Sequence, residues 1–272
     1  MRRGLLTAQV DELARIALTA ARAAAAYIRA ARPAGRVAAA QTKSSPTDPV
    51  TLIDQAAEKL IRESIGAERP HDGFLGEEGG GTAGSSGVVW VVDPIDGTVN
   101  FMYGIGAYAV SIGAEIDGTV EAGCIVNAVT GEEYTAVRGA GAFARTGDGA
   151  PARLAAQSPP SLSHALVGTG FNYVVDIRLH QARAVTALLA HVRDIRRNGS
   201  AALDLCAVAE GRLDAYVEQG LKPWDLAAGG LIARESGVRL AGLGADPDER
   251  LTIAAPEPIA EEFFRLVRTC GF

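Results

Sequence analysis

Apolar positions recur every three or four residues at the start of the chain. Val10, Leu13, Ala14, Ala17, Ala21, Ala24 and Ile28 share one face of a predicted helix over residues 5–31, which Pro33 and Gly35 end. A polar break at residues 41–49 precedes a second helical period carrying Ile53, Ala57, Leu60, Ile61 and Ile65. The turn Pro70-His71-Asp72-Gly73 then leads to a short strand at Phe74-Leu75, and residues 79–87, nearly all Gly, Ser, Thr and Ala, read as a flexible loop. From Val88 the period changes. Val88-Val89-Trp90-Val91-Val92 is a continuous apolar run of buried-strand length with Asp93 at its carboxyl end. Residues 107–116 and 119–128 flank Asp117-Gly118, a hairpin signal, and a further strand covers 132–137. The first half therefore predicts two helices followed by an antiparallel sheet.

The second half alternates. Strands are expected at 165–167, 194–196 and 213–218, and helices at 177–189, 200–209, 226–236 and 258–267. The Gly-, Pro- and Ser-bearing stretch 147–160 is the best boundary, which divides the chain into an α+β subdomain at 1–150 and an α/β subdomain at 151–272. Two αβ subdomains sharing one cleft, with mixed sheets covered by helices, is the α/β (α+β) architecture this order implies.

Composition narrows the function. The 272 residues are 48% hydrophobic, enough for a sizeable core, and 26 basic against 32 acidic residues leave a charge of −6. That balance argues against direct nucleic-acid binding and against an anionic lipid surface. No apolar run is long enough to span a bilayer, and Asp11 and Glu12 end the initial apolar stretch too early for a signal peptide. Cys124, Cys206 and Cys270 are widely spaced, and the four histidines lack zinc spacing, so a reducing cytoplasm is the expected home.

The densest chemistry lies in Asp93-Pro94-Ile95-Asp96-Gly97-Thr98. Two carboxylates three residues apart after a buried strand can face one point in space, Pro94 stiffens the chain and Gly97 permits close approach of a ligand. Oxygen donors without nearby His or Cys favour a hard cation such as Mg²⁺. An ordinary Asp-Pro/Asp-Gly turn is the bland alternative. Two further acidic spots, Gly76-Glu77-Glu78-Gly79 and Trp224-Asp225, weigh against it.

Taken together with Lys43-Ser44-Ser45-Pro46, Val50-Thr51-Leu52-Ile53-Asp54, Gly199-Ser200-Ala201-Ala202 and Asp214-Ala215-Tyr216-Val217-Glu218, these blocks run in order over most of the chain. The sequence resembles the inositol monophosphatase family of Mg²⁺-dependent, lithium-sensitive phosphatases. The resemblance implies a layered αβαβα sandwich of the kind shared with fructose-1,6-bisphosphatase. It implies that Glu77, Asp93, Asp96, Asp225 and the carbonyl of Ile95 hold two or three Mg²⁺ per subunit, where Li⁺ would inhibit. Four carboxylates about 5 Å apart repel by roughly 3 kcal/mol per pair at an effective dielectric of about 20, so such a cluster requires cations. Two Mg²⁺ would balance it and let an acidic protein accept a phosphate.

The same resemblance gives Thr98 and Asp54 the task of orienting a metal-activated water, Glu77 a catalytic part and Lys43 a supporting charge on a mobile cover. It gives Glu77, Ile95, Asp96, Gly97, Thr98, Gly199, Ser200, Ala201, Glu218 and Asp225 to substrate contact, with Glu218 on a polyol hydroxyl. From spacing alone Asp54 reads rather as a surface acid or first-turn helix charge, and Ser200 reads equally as a helix cap and Glu218 as an exposed strand-end acid. The expected reaction is hydrolysis of a small phosphorylated polyol, myo-inositol 1-phosphate, by a homodimer. Histidinol-phosphate phosphatase activity is the nearest alternative, and a role in RNA synthesis through a protein partner is an alternative of another class.

Overall fold

A computed structural model describes residues 2–39, 41–42 and 49–272, so Lys43 lies outside the described residues. The helices are α1 (Arg2–Ala31), α2 (Leu52–Glu68), α3 (Thr98–Tyr103), α4 (Val175–Leu188), α5 (Ala201–Glu210), α6 (Pro223–Glu235) and α7 (Glu257–Thr269). An eight-stranded sheet runs in the spatial order Ala152–Arg153, Gly141–Arg145, Glu133–Val137, Thr119–Asn127, Ala109–Ile116, Val88–Asp96, Gly73–Gly76 and Gly80–Thr82. A five-stranded sheet runs Asp194–Arg196, Leu166–Thr169, Ala215–Glu218, Thr252–Pro256 and Val238–Ala241.

Four apolar interfaces join five layers. Helices α1 and α2 bury Leu13, Ile16, Ile28, Ile61 and Ile65 against Trp90, Ile112 and Cys124 of the large sheet. The opposite face of that sheet meets α5 and α6 through Ile125, Tyr134, Cys206, Leu231 and Ile232. The same two helices reach the small sheet through Leu205, Val208, Tyr216 and Leu240. Its outer face is closed by α4 and α7, with Leu188, Ile253, Phe263 and Val267 inside. The order is αβαβα, as the sequence resemblance implies.

Small residues decide how closely these layers approach. A Cβ on Gly113 would stand 2.9 Å from Ala227 Cβ, and one on Gly123 would stand 3.0 Å from Ala228 Cα. Bare backbone on these two strands therefore lets α6 lie directly on the large sheet. That close seat carries Asp225, in the first turn of α6, toward the end of Val88–Asp96.

Several expectations change. Within 79–87, Gly80–Thr82 pairs antiparallel with Gly73–Gly76 as an edge strand, because a backbone with no apolar side chains can still satisfy a ladder. The large sheet is not purely antiparallel, since Gly73–Gly76 runs parallel to Val88–Asp96. Strands at Gly141–Arg145, Val238–Ala241 and Thr252–Pro256 carried no distinct period, and α3 was not expected as a helix. The strand beginning at Val88 continues to Asp96 across a register shift between Asp93 and Asp96. Pro94 has no N–H to donate, and an irregularity of this kind is where a sheet tolerates it. No helix among the described residues is long and apolar enough to cross a membrane.

Candidate active site

The register shift is what gathers the acids. On either side of it Asp93 pairs with Ser111 and Asp96 with Ala109. The N–H of Ile95 donates to Asp93 Oδ1 at 2.9 Å, fixing the first carboxylate against its own turn. Gly97 then adopts φ +97°, and a Cβ there would meet the Ala107 carbonyl at 2.8 Å and the Gly199 carbonyl at 3.2 Å. Both its backbone geometry and its surroundings require glycine.

Distant elements complete the cluster. Glu77 follows Gly73–Gly76 and donates its backbone N–H to the Val92 carbonyl at 3.1 Å, which brings it alongside Asp93. Asp225 arrives on α6, where its carboxylate accepts the Lys222 N–H at 2.7 Å. Carboxylate oxygens of Asp93, Asp96 and Asp225 lie within 4.8 Å of one another. Asp96 is also bound by the start of α5, with Ser200 Oγ donating at 2.5 Å and the Ala202 N–H at 2.7 Å. The first turn of α5 is thus engaged by a carboxylate of the protein itself, as its N-terminal dipole favours.

Electrostatics follow from this crowding. Burial, then the charges of Glu77, Asp96 and Asp225, pushes Asp93 well above the usual carboxylate range. Burial pushes Asp96 up to about 6 despite the hydrogen bonds from Ser200 and Ala202. Burial, then Asp96 and Glu77, raises Asp225 as well. Converging hard oxygens, with their protons held on by burial and mutual repulsion, suit a divalent cation. The residues present fit a Mg²⁺-type ion.

Beside the cluster, Thr98 Oγ1 lies 3.1 Å from Asp54 Oδ1 and 3.1 Å from the Ile95 carbonyl, and its single proton serves one acceptor at a time. Asp54 is fully buried and doubles as the third residue of the α2 capping box, accepting from the Thr51 N–H at 3.0 Å and from the Thr51 hydroxyl. Burial raises its pKa, against the bonds from Thr51 and Thr98. The first-turn helix charge read from spacing and the partner of Thr98 are one residue.

The acidic cluster and Thr98 face one cleft of about 600 Å³. Its walls include Glu77, Asp93, Ile95, Asp96, Gly97, Thr98, Gly199, Ser200, Ala201, Glu218, Trp224 and Asp225, while Asp54 stands behind Thr98. Of the neighbouring arginines, Arg196 pairs with Asp194 at 2.6 Å on the surface and Arg197 lines the cleft. Lys222 also lines it, paired with Glu249.

Two residues at the site escaped the sequence reading. Asp204 on α5 is buried, accepts from Asn198 Nδ2 at 2.6 Å and lines the cleft near Glu218. Burial pushes it up to about 7, and Glu218 likewise reaches about 7 through burial. The signal was present, since Asp204 interrupts an otherwise apolar run from Ala201 to Ala209. Glu58 on α2 is 3% exposed and accepts the N–H groups of Glu78 at 2.7 Å and Gly79 at 2.8 Å. A Cβ at Gly79 would come within 2.6 Å of that carboxylate, so glycine keeps the turn behind Glu77 close to α2. Asp54, Glu58, Ile61 and Ile65 share the buried face of α2, a helical spacing that marks both acids as interior.

The sequence profile of the inositol monophosphatase family matches residues 9–270. The chain belongs to that family. Inositol-1-monophosphatase of Mycobacterium bovis is 49% identical over 231 residues, covering 82% of this chain and 79% of that protein. The Nus factor SuhB of Haemophilus influenzae is 38% identical over 261 residues, covering 89% and 94%. Among solved structures, Mycobacterium tuberculosis SuhB superimposes with a TM-score of 0.82 at 42% identity over 96% of this chain and 97% of its own. A Thermotoga maritima IMPase gives 0.83 at 28% identity over 96% and 98%. Family membership makes the protein a phosphoric monoester hydrolase of a metal-dependent family.

Proposed function

We propose that the protein is a Mg²⁺-dependent phosphatase that hydrolyses myo-inositol 1-phosphate and related inositol monophosphates to inositol and phosphate. The observation that carries this reading is the convergence of Asp93, Asp96 and Asp225 oxygens within 4.8 Å in a cleft that also holds Glu77, Thr98 and Glu218. Glu77, Asp93, Asp96, Asp225 and the Ile95 carbonyl would hold two or three Mg²⁺ per subunit. Bound there, the ions supply positive charge for the phosphate and acidify the attacking water. Thr98 Oγ1 orients that water, and Asp54 holds the hydroxyl and receives a proton passed through it. Gly97, Gly199 and Ala201 bring backbone close to the phosphate, Ser200 acts by holding Asp96, and Glu218 accepts a hydrogen bond from a polyol hydroxyl. For Lys43 the proposed supporting charge rests on sequence alone.

Lithium inhibition is expected from the same cluster. A homodimer is expected from the family likeness alone, and a cytoplasmic setting is supported by Cys124 and Cys206, which are buried and free. The substrate is tested by phosphate release from inositol 1-phosphate, histidinol phosphate, 3′-phosphoadenosine phosphate and fructose 1,6-bisphosphate. Inositol 1-phosphate is expected to give the highest kcat/KM, and dominant turnover of histidinol phosphate overturns the substrate while sparing the chemistry. A second reading, action through a protein partner in RNA synthesis, is favoured by the relatives named Nus factor SuhB. It predicts that Asp93→Asn loses hydrolysis and keeps the cellular role.

A further inference from the structure

The floor of the cleft at Glu218 is built from two neighbouring strands whose side chains alternate in step. Tyr216 and Glu218 stand two residues apart on Ala215–Glu218 and so share one face. The adjacent parallel strand Leu166–Thr169 sets Gly168 opposite Tyr216, and its continuation brings Gly170 level with Glu218. A Cβ on Gly168 would stand 3.0 Å from Tyr216 Cδ2 and 2.8 Å from Leu213 Cδ1. One on Gly170 would stand 2.1 Å from both carboxylate oxygens of Glu218. Gly170 is not among the glycines with positive φ, so it is required there for space and not for conformation.

The space so cleared is filled by a hydrogen bond. The Tyr216 hydroxyl donates to Glu218 Oε2. Tyr216 is fully buried in the core between α5, α6 and the small sheet. Burial, followed by the nearby acids Glu218 and Asp204, pushes its pKa far above the phenol range, so the hydroxyl stays a donor. A carboxylate with one oxygen tied to a rigid phenol has the other oxygen left as an acceptor. Without that tie, the charge of Arg197, which lines the same cleft, attracts Glu218.

We propose that Tyr216 and Gly170 are positioning residues that hold Glu218 at one orientation, and that this slot gives the site its preference for hydroxyl-rich phosphomonoesters over those without hydroxyls. The proposal rests on Glu218 being the polyol contact. Tyr216→Phe removes the tie and keeps the ring. Gly170→Ala keeps every polar group and displaces only the end of a flexible side chain, so it tests the slot even if the first variant fails to fold.

The experiment compares inositol 1-phosphate with p-nitrophenyl phosphate, which carries no hydroxyl, on the Mg²⁺-loaded full chain. Both variants are expected to raise KM for inositol 1-phosphate by about three- to tenfold, the loss of one oriented hydrogen bond, with kcat for that substrate and both constants for p-nitrophenyl phosphate unchanged. Glu218→Gln serves as the reference and is expected to match or exceed that rise. If it raises KM while Tyr216→Phe and Gly170→Ala do not, the slot is refuted and the polyol contact stands. If Glu218→Gln leaves KM unchanged, the polyol contact fails and the slot with it. Equal losses on both substrates indicate general damage and also refute positioning.

Discussion

Thr98 and Asp54 lie 44 residues apart in sequence, yet the Thr98 hydroxyl meets Asp54 Oδ1 at 3.1 Å in a buried contact between α3 and α2. A hydroxyl on a helix of six residues is held by an acid whose own helix is pinned by the Thr51 capping box. Thr98→Val preserves shape and deletes the hydroxyl. It is expected to lower kcat by about 10²-fold and leave KM within about threefold, the pattern of a group that acts on the reacting water. Steady-state kinetics on inositol 1-phosphate check it, and a raised KM at normal kcat would assign Thr98 to binding alone.

Much of this arrangement was legible beforehand because its parts obey strong local rules. Asp117-Gly118 forms its hairpin turn with both residues at positive φ, and the apolar run at Val88 is a buried central strand. Helix α2 shows its interior face, and Asp194–Arg196 is a strand as expected. What escaped depends on contacts between distant segments. The edge strand Gly80–Thr82 has no side-chain pattern to reveal it. The extension from Asp93 to Asp96 runs through a proline that ordinarily argues against a strand. The helical spacing of Glu58 with Ile61 and Ile65 marks it as interior, but its partners, two N–H groups of the Gly76–Gly79 turn, come from a distant segment. The set of residues proposed to hold cations followed from family likeness, not from spacing.

Asp225→Asn removes one of three converging charges. Without ions each pair near 5 Å costs roughly 3 kcal/mol before relaxation and proton uptake, which offset most of it. In chelator the variant is therefore expected to melt about 3 °C above the parent protein while losing hydrolysis and Mg²⁺-induced stabilisation. Calorimetry with and without Mg²⁺ measures both, and a lower melting point in chelator would show that the acids do not repel.

The cluster also sets a pH dependence. Asp96 is raised to about 6, and Asp93 and Asp225 are also raised well above the usual carboxylate range, so the metal-free fold holds protons that the unfolded chain has released. Stability at these groups falls as pH rises from the ordinary carboxylate range through their folded values. Asp204 and Glu218, each about 7, act in the same direction. Asp72 and Glu133 are lowered, because bonds from Arg69, and from Arg22 and Arg145, outweigh burial. Their stabilisation is lost only as pH falls below the ordinary carboxylate range, outside this window. Melting in chelator is predicted to be higher at pH 5 than at pH 8, and the increment on adding Mg²⁺ larger at pH 8. Equal increments at the two values would contradict the raised pKa values.

Glu58 supports the site from α2. Glu58→Ala leaves the N–H groups of Glu78 and Gly79 without their acceptor and frees Arg62, which now pairs with Glu58 at 3.3 Å and lies over the Phe74 ring. A loss of about 1–3 kcal/mol in urea unfolding is expected, together with a higher Mg²⁺ concentration for half-maximal activity, because the turn that carries Glu77 loosens. Unchanged Mg²⁺ dependence would separate the turn from the metal site.

The most direct test is phosphate release from inositol 1-phosphate after exhaustive chelation, followed by titration with Mg²⁺. Activity is predicted to vanish in chelator and to return as Mg²⁺ is added back. Hydrolysis that persists at full rate without divalent ions would contradict the account.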